Sequence, residues 1–523
     1  MEGRGGNRRR AALLGIAIAA AVITPAAVAA PAWLTPKTLS APGQDAEVGD
    51  VAVNAAGDAF AIWRRSDGAT LLVQVSSRKA GGKWTAPKTL SAPGREADYV
   101  QIAAGPGGRV IAIWTRETAT AAVIQASVRS NGHWGSVQDL SADGVYASQP
   151  QVAFDRWGNA TAIWVRGGTI QASVRPRGGS WGSAQDISVP GVAAGGTQLA
   201  ISRQGTAFAV WYRATLGPFT ETVQTNRRPR GGAWSGPQDL SQLGVLAVAP
   251  QIGIDRAGNA IAVWSNQTAS PNGVQAAVRP HGSGVWGSPK TISKPGQSAG
   301  GPALAVGRTG GAVAVWTVVN GPLVRFVQAA VRPAGKQWKT PKNLTPTGGN
   351  AYSPEVGIDA AGNAVAVWHK TTGTTSVVQG SRHTAGGRWS KVKPVSKPAT
   401  GTIPFPQIAV DPAGNAVATW QRSKGGDDVV EATALDAAGP VFSHVRIPRS
   451  VAAGSRHTFS VRSMDVWTRL ARAPLWRFDD GTEVRGRSVT HVFFGSGRRA
   501  VTVRQWDLHG NLTVLRRTVT VHS

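Results

Sequence analysis

The chain has 523 residues and no Cys, which excludes a disulfide framework, a thiolate metal site and a cysteine nucleophile. Charged residues make up 16% and hydrophobic residues 41%, a balance that fits neither a coiled coil nor a highly charged disordered polymer. The formal net charge is +28, so attraction to polyanions is expected. No block of five or six basic residues marks a nucleic-acid arm, and no specific nucleic-acid partner is expected.

At the N-terminus, Arg4, Arg8, Arg9 and Arg10 precede an apolar run over residues 11–30 that only Thr24 and Pro25 interrupt. Together with the small-residue site Ala27-Val28-Ala29, this reads as a secretory signal over residues 1–29, cleaved before Ala30. No later segment is long and apolar enough to span a bilayer. The mature chain is therefore expected to be secreted, with no membrane span.

A repeat of about fifty residues follows. A Trp ends an Ala/Val run at Trp63, Trp114, Trp164, Trp211, Trp264, Trp316, Trp368 and Trp420. A second Trp opens phrases such as Trp286-Gly287-Ser288-Pro289-Lys290-Thr291. In the fifth unit the predicted strands are 250–254, 260–264, 274–279 and the segment from Trp286. Period-two patterning with Gly, Pro and Asn turns predicts an all-β chain. The turn Asp-x-x-Gly-Asn recurs at 155–159, 255–259, 359–363 and 411–415, where the carboxylate can cap the turn and Gly supplies positive φ. Its functional rival is a calcium loop, but one Asp per turn offers too few oxygen ligands.

Four strands per repeat match a β-propeller blade. One blade cannot bury enough surface to stand alone, so stability must come from stacking and ring closure. The eighth unit lacks a Trp phrase after its third strand, while residues 33–40 at the N-terminus form an orphan phrase of that kind. These are expected to pair and close the ring, giving eight blades over residues 30–443; seven blades are the alternative.

Residues 444–523 break the repeat. Trp476-Arg477-Phe478-Asp479-Asp480-Gly481 and Val489-Thr490-His491-Val492-Phe493 resemble the PKD (polycystic kidney disease type) domain, with Asp479 in place of a Gly and Phe493 in place of a Tyr. The resemblance implies an immunoglobulin-like β-sandwich that serves as a spacer or adhesion module. The whole layout resembles secreted actinobacterial proteins that carry a repeat propeller before a PKD-type domain.

The search for chemistry yields no catalytic constellation. The Asp-box of sialidases is absent, and no His pair has zinc spacing, so neither a metal nor a cofactor is expected. The four Tyr are Tyr99, Tyr146, Tyr212 and Tyr352, three of them at similar phases of the repeat. Paired carboxylates at Asp45/Glu47, Glu96/Asp98 and Asp427/Asp428 read as solvated loop residues. Two residues after the first Trp stand Arg65, Arg116, Arg166, Arg213, Lys370 and Arg422, expected on the Trp's face of the strand and at one rim of the channel. They form a candidate anion-binding collar, or else cover the indole by cation–π contact. Gln74, Gln125, Gln171, Gln224, Gln275, Gln328 and Gln379 recur in the third strand, with Glu431 in the eighth unit, and read as partners for buried polar groups.

The resulting expectation is a secreted, monomeric, non-enzymatic binding or scaffold protein. Its propeller face would hold an anionic cell-wall polymer or glycan. The alternative is a glycan-active hydrolase or lyase, with Glu117, Glu221, Asp427 or Asp428 near the mouth.

Overall fold

The computed structural model describes residues 31–523 except 217–218, 269–270, 322–323 and 401–404; the expected signal segment lies outside the described residues. Apart from a three-residue turn of 3-10 helix at Pro106–Gly108, regular structure among them is entirely β. No helix among them is long and apolar enough to cross a membrane.

The fifth unit shows the plan: Ala247–Ile254, Ala260–Asn266, Gly273–Arg279 and Lys290–Thr291 pair antiparallel in that order. The same plan recurs in each 50-residue segment from residue 46 to residue 436, and a single parallel bridge, Arg325↔Asn350, joins the sixth and seventh units. First strands lie innermost and pack one on the next, and Ala46–Val53 of the first unit packs on Gln407–Val410 of the eighth. The array is therefore closed and propeller-like.

Two strand boundaries differ from the sequence-based reading. The first strand of the fifth unit starts at Ala247 rather than Pro250, because a bulge between Val248 and Gln251 interrupts the alternation. The fourth strand pairs over only two residues, Lys290–Thr291.

Closure follows the predicted pairing. Trp33 lies opposite Leu435, Lys37 opposite Ala432 and Thr38 opposite Glu431. The Ser40 hydroxyl accepts the Val430 N–H at 3.0 Å. In the fifth unit Ser293 makes the same bond to the Val274 N–H, so the N-terminal segment occupies a true fourth-strand phase.

Each first Trp is fully buried in the seam with the preceding unit: Trp114 packs among Phe60, Ile62 and Val75, and Trp63 among Leu39, Val430 and Ala432. An indole N–H buried there needs an acceptor. In seven units the glutamine directly across the strand pair supplies it, with Trp264 Nε1 donating to Gln275 Oε1 at 3.1 Å. The Gln amide then donates onward to the fourth strand, as from Gln224 to Asp239 at 2.7 Å. The eighth unit departs: Glu431 pairs with Arg422 at 3.2 Å, and Trp420 Nε1 has no acceptor.

The Asp-x-x-Gly-Asn turns are structural staples. Asp255 Oδ1 accepts the Gly258 and Asn259 N–H groups and Oδ2 accepts Asn259 Nδ2. Asn259 Oδ1 in turn accepts His281 N–H, tying the first hairpin to the third-to-fourth connection. With both carboxylate oxygens committed, the turn is a staple rather than a cation loop.

The tail comprises a three-stranded sheet (Val441–Arg446, Arg456–Met464, Ser488–Val492) and a five-stranded sheet that includes Gly497–Trp506 and Leu512–His522. Residues 441–442, read from sequence as an irregular end of the eighth unit, pair with Met464 and Ser463 instead. The crossover therefore falls at residues 437–440, where a Cβ on Gly439 would meet the Leu512 backbone at 2.6 Å. The core holds Phe459, Trp476, Phe478 and Phe493. Trp476 Nε1 donates to Gly486 O at 2.9 Å, and His491 stacks on Phe478 with centroids 3.8 Å apart. The Trp and His of the tail motif are thus core residues.

This tail docks on the hairpin-turn end of the first and eighth units. Arg78, buried, lies 3.8 Å over the Trp467 ring, and Gly81 N–H donates to Val466 O. Beside them Asp436, Asp465 and Asp507 are buried, with carboxylate oxygens within 4.8 Å of one another. This all-oxygen set is of the kind that suits a hard cation. Each carboxylate, however, already accepts protein donors: Asp436 from Thr468 at 3.0 Å, Asp465 from the Trp467 N–H at 2.9 Å and Asp507 from Asn511 Nδ2 at 2.7 Å. Arg78 adds a positive charge, so the set reads as a polar lock between ring and tail.

Two outcomes are expected. Gln328→Leu strands the Trp316 indole N–H and the amide acceptors Gln297 and Asn343, and should cost about 1–3 kcal/mol in chemical denaturation. Burial, followed by the charges of Asp465 and Asp507, pushes Asp436 up to about 6. An acid raised in the folded state binds protons more readily than the unfolded chain, so stability should fall as pH rises from 4 to 6 and then level off. Asp436→Asn should lessen that fall in calorimetric scans; an unchanged pH profile would contradict the assignment.

Candidate functional site

The ring has two ends. The loop end collects the fourth-to-first connections and the second-to-third turns; the hairpin end carries the Asp-x-x-Gly-Asn turns.

The cations singled out from sequence stand at the loop end, but beneath the loops rather than in an open mouth. Arg65 donates to the Ala41 and Pro42 carbonyls, Arg116 to Arg95 O and Pro93 O, and Arg166 to Ala142 O and Asp143 O. Each guanidinium fastens the connection that enters its own unit. Arg422 pairs with Glu431, Lys370 Nζ sits over the α-carbon of Gly349, and Arg213 Nε is buried without a partner. The strand face shared with the Trp points into the seam, so the donors of at least four of these cations are spent on structure. The described ring contacts place none of the six over an indole.

The residue one place earlier points the other way. Arg64 bridges Glu47 of its own unit and Asp98 of the next, 2.6 Å from Asp98 Oδ1. At the same register stand Tyr212 and His369. His369 is buried against Tyr352, with ring centroids 4.7 Å apart, and burial drops it to about 4, so it is neutral at physiological pH. Gly195 and Gly196 make room for Tyr212: a Cβ on Gly195 would meet its hydroxyl at 2.6 Å.

Bulge residues complete this end. Tyr99, Gln149, Ala249, Ser353 and Phe405 have φ of 44–53°, with Gly196 and Gly301 equivalent in two units. Such left-handed geometry costs a non-glycine residue about 1–2 kcal/mol. Tyr99 and Tyr146 are 44% and 52% exposed, beside Tyr212. Burial raises the Tyr146 hydroxyl pKa, with Tyr99, Asp98 and Glu117 adding; burial and then Glu221 raise that of Tyr212. These phenols keep their protons and act as donors and flat apolar surfaces. Burial also raises the Glu221 carboxyl.

Of the alternative reading's other carboxylates, two serve closure. Asp427 accepts Gly43 N–H at 3.0 Å, and Asp428 accepts the Ser423 hydroxyl while its own N–H donates to Asp45. Glu96 accepts Leu71 N–H. Loop carboxylates thus hold loops, and Glu117 and Glu221 stand apart from that role.

Sequence reading missed the residue that follows the bulge on the innermost strands. It is Gln in five units, Ala303 in the sixth, Asp50 in the first and Glu355 in the seventh. Surrounded by protein on the channel wall, Glu355 is raised to about 8 by burial and then by the charge of Asp50. Burial lifts Asp50 to about 6 against hydrogen bonds from the Ile102 and Val51 N–H groups. The signal was available as an acid standing in a Gln column.

No known protein-family model matches the chain, and no curated protein matches it. Solved structures similar to it include a Dyadobacter fermentans protein (10% identity, TM-score 0.41, covering 77% of this chain and 98% of that one). Another is a family PL25 ulvan lyase, a polysaccharide lyase (9% identity, TM-score 0.45, 77% and 95% covered). A third is the NanB sialidase of Streptococcus pneumoniae (10% identity, TM-score 0.32, 78% and 69% covered).

Glu355 generates a pH prediction. Its folded value lies above its ordinary one, so its ionisation lowers stability as pH rises toward and through 8. Glu355→Gln should be more stable than the parent at pH 8, on the order of 1–3 kcal/mol after allowance for channel water, with the gap closing toward pH 4.5. Equal stability at both ends of that range would place the carboxyl in water.

Proposed function

We propose that the chain is a glycan-directed protein: an eight-bladed β-propeller closed by its N-terminal strand, followed by a PKD-type, immunoglobulin-like domain. The loop end over the second to fourth units would be its carbohydrate face. The observation that carries this reading is the gathering of Tyr99, Tyr146 and Tyr212 with Arg64, Asp98, Glu117 and Glu221 at one end of the ring. Exposed phenol rings offer flat surfaces to the C–H faces of sugars, and carboxylates with an Arg offer directional partners to hydroxyl groups. The reading of residues 1–29 as a signal supports secretion, with an anionic wall polymer or glycan as partner. The six cations beneath the loops would add to the field at this end.

A second reading is cleavage of that glycan, and Glu221 favours it. A carboxyl raised by burial beside a tyrosine is placed to act as a general acid. Tyr146 and Tyr212, raised rather than lowered, fit binding better than nucleophilic attack.

A glycan and wall-polymer panel with salt titration tests both readings. Tyr99→Ala with Tyr146→Ala should weaken binding about tenfold, or about 1.4 kcal/mol. Retained affinity would remove this face from the function. Depolymerisation that Glu221→Gln abolishes while binding persists would establish the second reading.

A further inference from the structure

The hairpin end carries a feature that the loop-end reading does not use. Two residues beyond the end of the first strand stand Arg156, Arg203, Arg256 and Arg308, one in each of four consecutive units. They line one cavity of about 420 Å³ at the axial end of the ring, with a floor that includes Phe154, Ile201, Ile254 and Val306, the last residues of the same strands. That volume lies within the usual range of small-molecule sites, about 300–1,000 Å³.

These guanidiniums are exposed, and among the described residues none donates to a carboxylate or a carbonyl. Arg156 alone has a side-chain contact, lying 4.2 Å over Trp157. The contrast with Arg65, Arg116 and Arg166 is direct, since those spend their donors on loop carbonyls. The acid in the lining, Asp255, is committed to Gly258 and Asn259. The turns are also joined around the rim: Arg256 N–H donates to Arg308 O at 3.1 Å, and Gln204 Nε2 donates to Arg256 O at 2.9 Å. Three of the four cations, Arg203, Arg256 and Arg308, are therefore held on linked turns against their mutual repulsion.

Their placement around the ring is uneven. The equivalent residue is Ala55 in the first unit, Pro106 in the second, Ala360 in the seventh and Pro412 in the eighth. The tail covers this end at the first and eighth units, where a Cβ on Gly57 would strike Val466. This turn position carries no arginine in the two units where the tail docks, and its arginines are gathered where the rim is open.

We propose that this half-rim is a binding site for a compact polyanionic sugar, one bearing several sulfate or phosphate esters. Guanidinium forks match tetrahedral oxyanions in pairs of hydrogen bonds, and several forks around one cavity demand several anionic groups on one ligand. The floor of Phe154, Ile201, Ile254 and Val306 offers apolar surface to the C–H face of a ring. The site is separate from the loop-end face and stands or falls without it.

The test is titration calorimetry of the full chain with sucrose octasulfate, inositol hexakisphosphate, sodium sulfate and maltose at low and high salt. Binding of either polyanion should weaken at least about tenfold in Arg203→Ser/Arg256→Ser, and the tighter of the two identifies the ester. Arg498→Ser/Arg516→Ser on the tail, with the same loss of charge, should leave affinity within about twofold. Thermal melting of both variants checks that the fold is kept. Equal weakening in the tail variant would reduce the effect to net charge and overturn the site. So would sulfate alone binding as tightly as the esters, maltose binding equally, or an unchanged affinity in Arg203→Ser/Arg256→Ser. Tyr99, Tyr146 and Glu221 are intact in every variant, so loss here leaves glycan binding at the loop end unaffected.

Discussion

The constraint on which the structure depends is the indole N–H of a fully buried tryptophan at each seam. A Trp in that position is the largest buried side chain of its seam, but its single donor is stranded unless an acceptor is buried with it. The glutamine directly across the strand pair meets that need and hands its own amide hydrogens to the short fourth strand. One side chain thus links the second, third and fourth strands. This explains why a fourth strand of two paired residues holds: its ladder is short, but its side chains are already tied inward. Where the column changes to Glu431, the acceptor is drawn to Arg422 and the Trp420 donor goes unmet. That exception falls in the unit completed by the N-terminal segment, where bonds from Asp45 and Gly43 add to the repeat's usual serine bond, here Ser40.

Much of this was legible. Trp spacing gave the unit, the orphan phrase at Trp33 pointed to its partner strand, and repeated Gln signalled a buried polar obligation. The direction of the cations was not legible. Arg65 shares a strand face with Trp63, which the period-two rule states correctly, but that face looks into the seam and under a loop. The rule fixes a face and leaves open what covers it. The bulge was hidden for a related reason: a left-handed residue such as Ala249 or Tyr99 leaves no compositional mark, since Gly takes the position in only two units. The tail boundary slipped by several residues because Val441 and Phe442 can serve equally as the end of one sheet or the start of another.

The candidate sites arise where the repeat departs from itself. Every unit keeps its seam Trp, seven keep the Gln and six cap the turn with a side chain, so those positions vary little. Positions that neither pack in a seam nor cap a turn are free to diverge, and they diverge in blocks. Tyrosines gather over the second to fourth units at the loop end, acids enter the channel column in the first and seventh, and arginines occupy the turns of the third to sixth. A ring that were only a scaffold would give such positions no reason to cluster by side.

The two ends of the ring also differ in how charge is handled, and that difference bears on which end meets an anion. At the loop end, positive groups are matched locally: Arg64 lies between two carboxylates, and Arg65, Arg116 and Arg166 face carbonyls. Pairing of this kind commits the donors beneath the loops and leaves an aromatic surface suited to sugar hydroxyls and ring faces. At the hairpin end, four guanidiniums share one cavity with a single acid that is already bonded. Unpaired like charges on linked turns raise the free energy of the empty ring, and that cost is recovered only when an anion arrives. The tail docks at the first and eighth units, where this turn position carries no arginine. An aromatic face with committed donors at one end and an open cluster of guanidiniums at the other would let a single ring distinguish two kinds of saccharide surface.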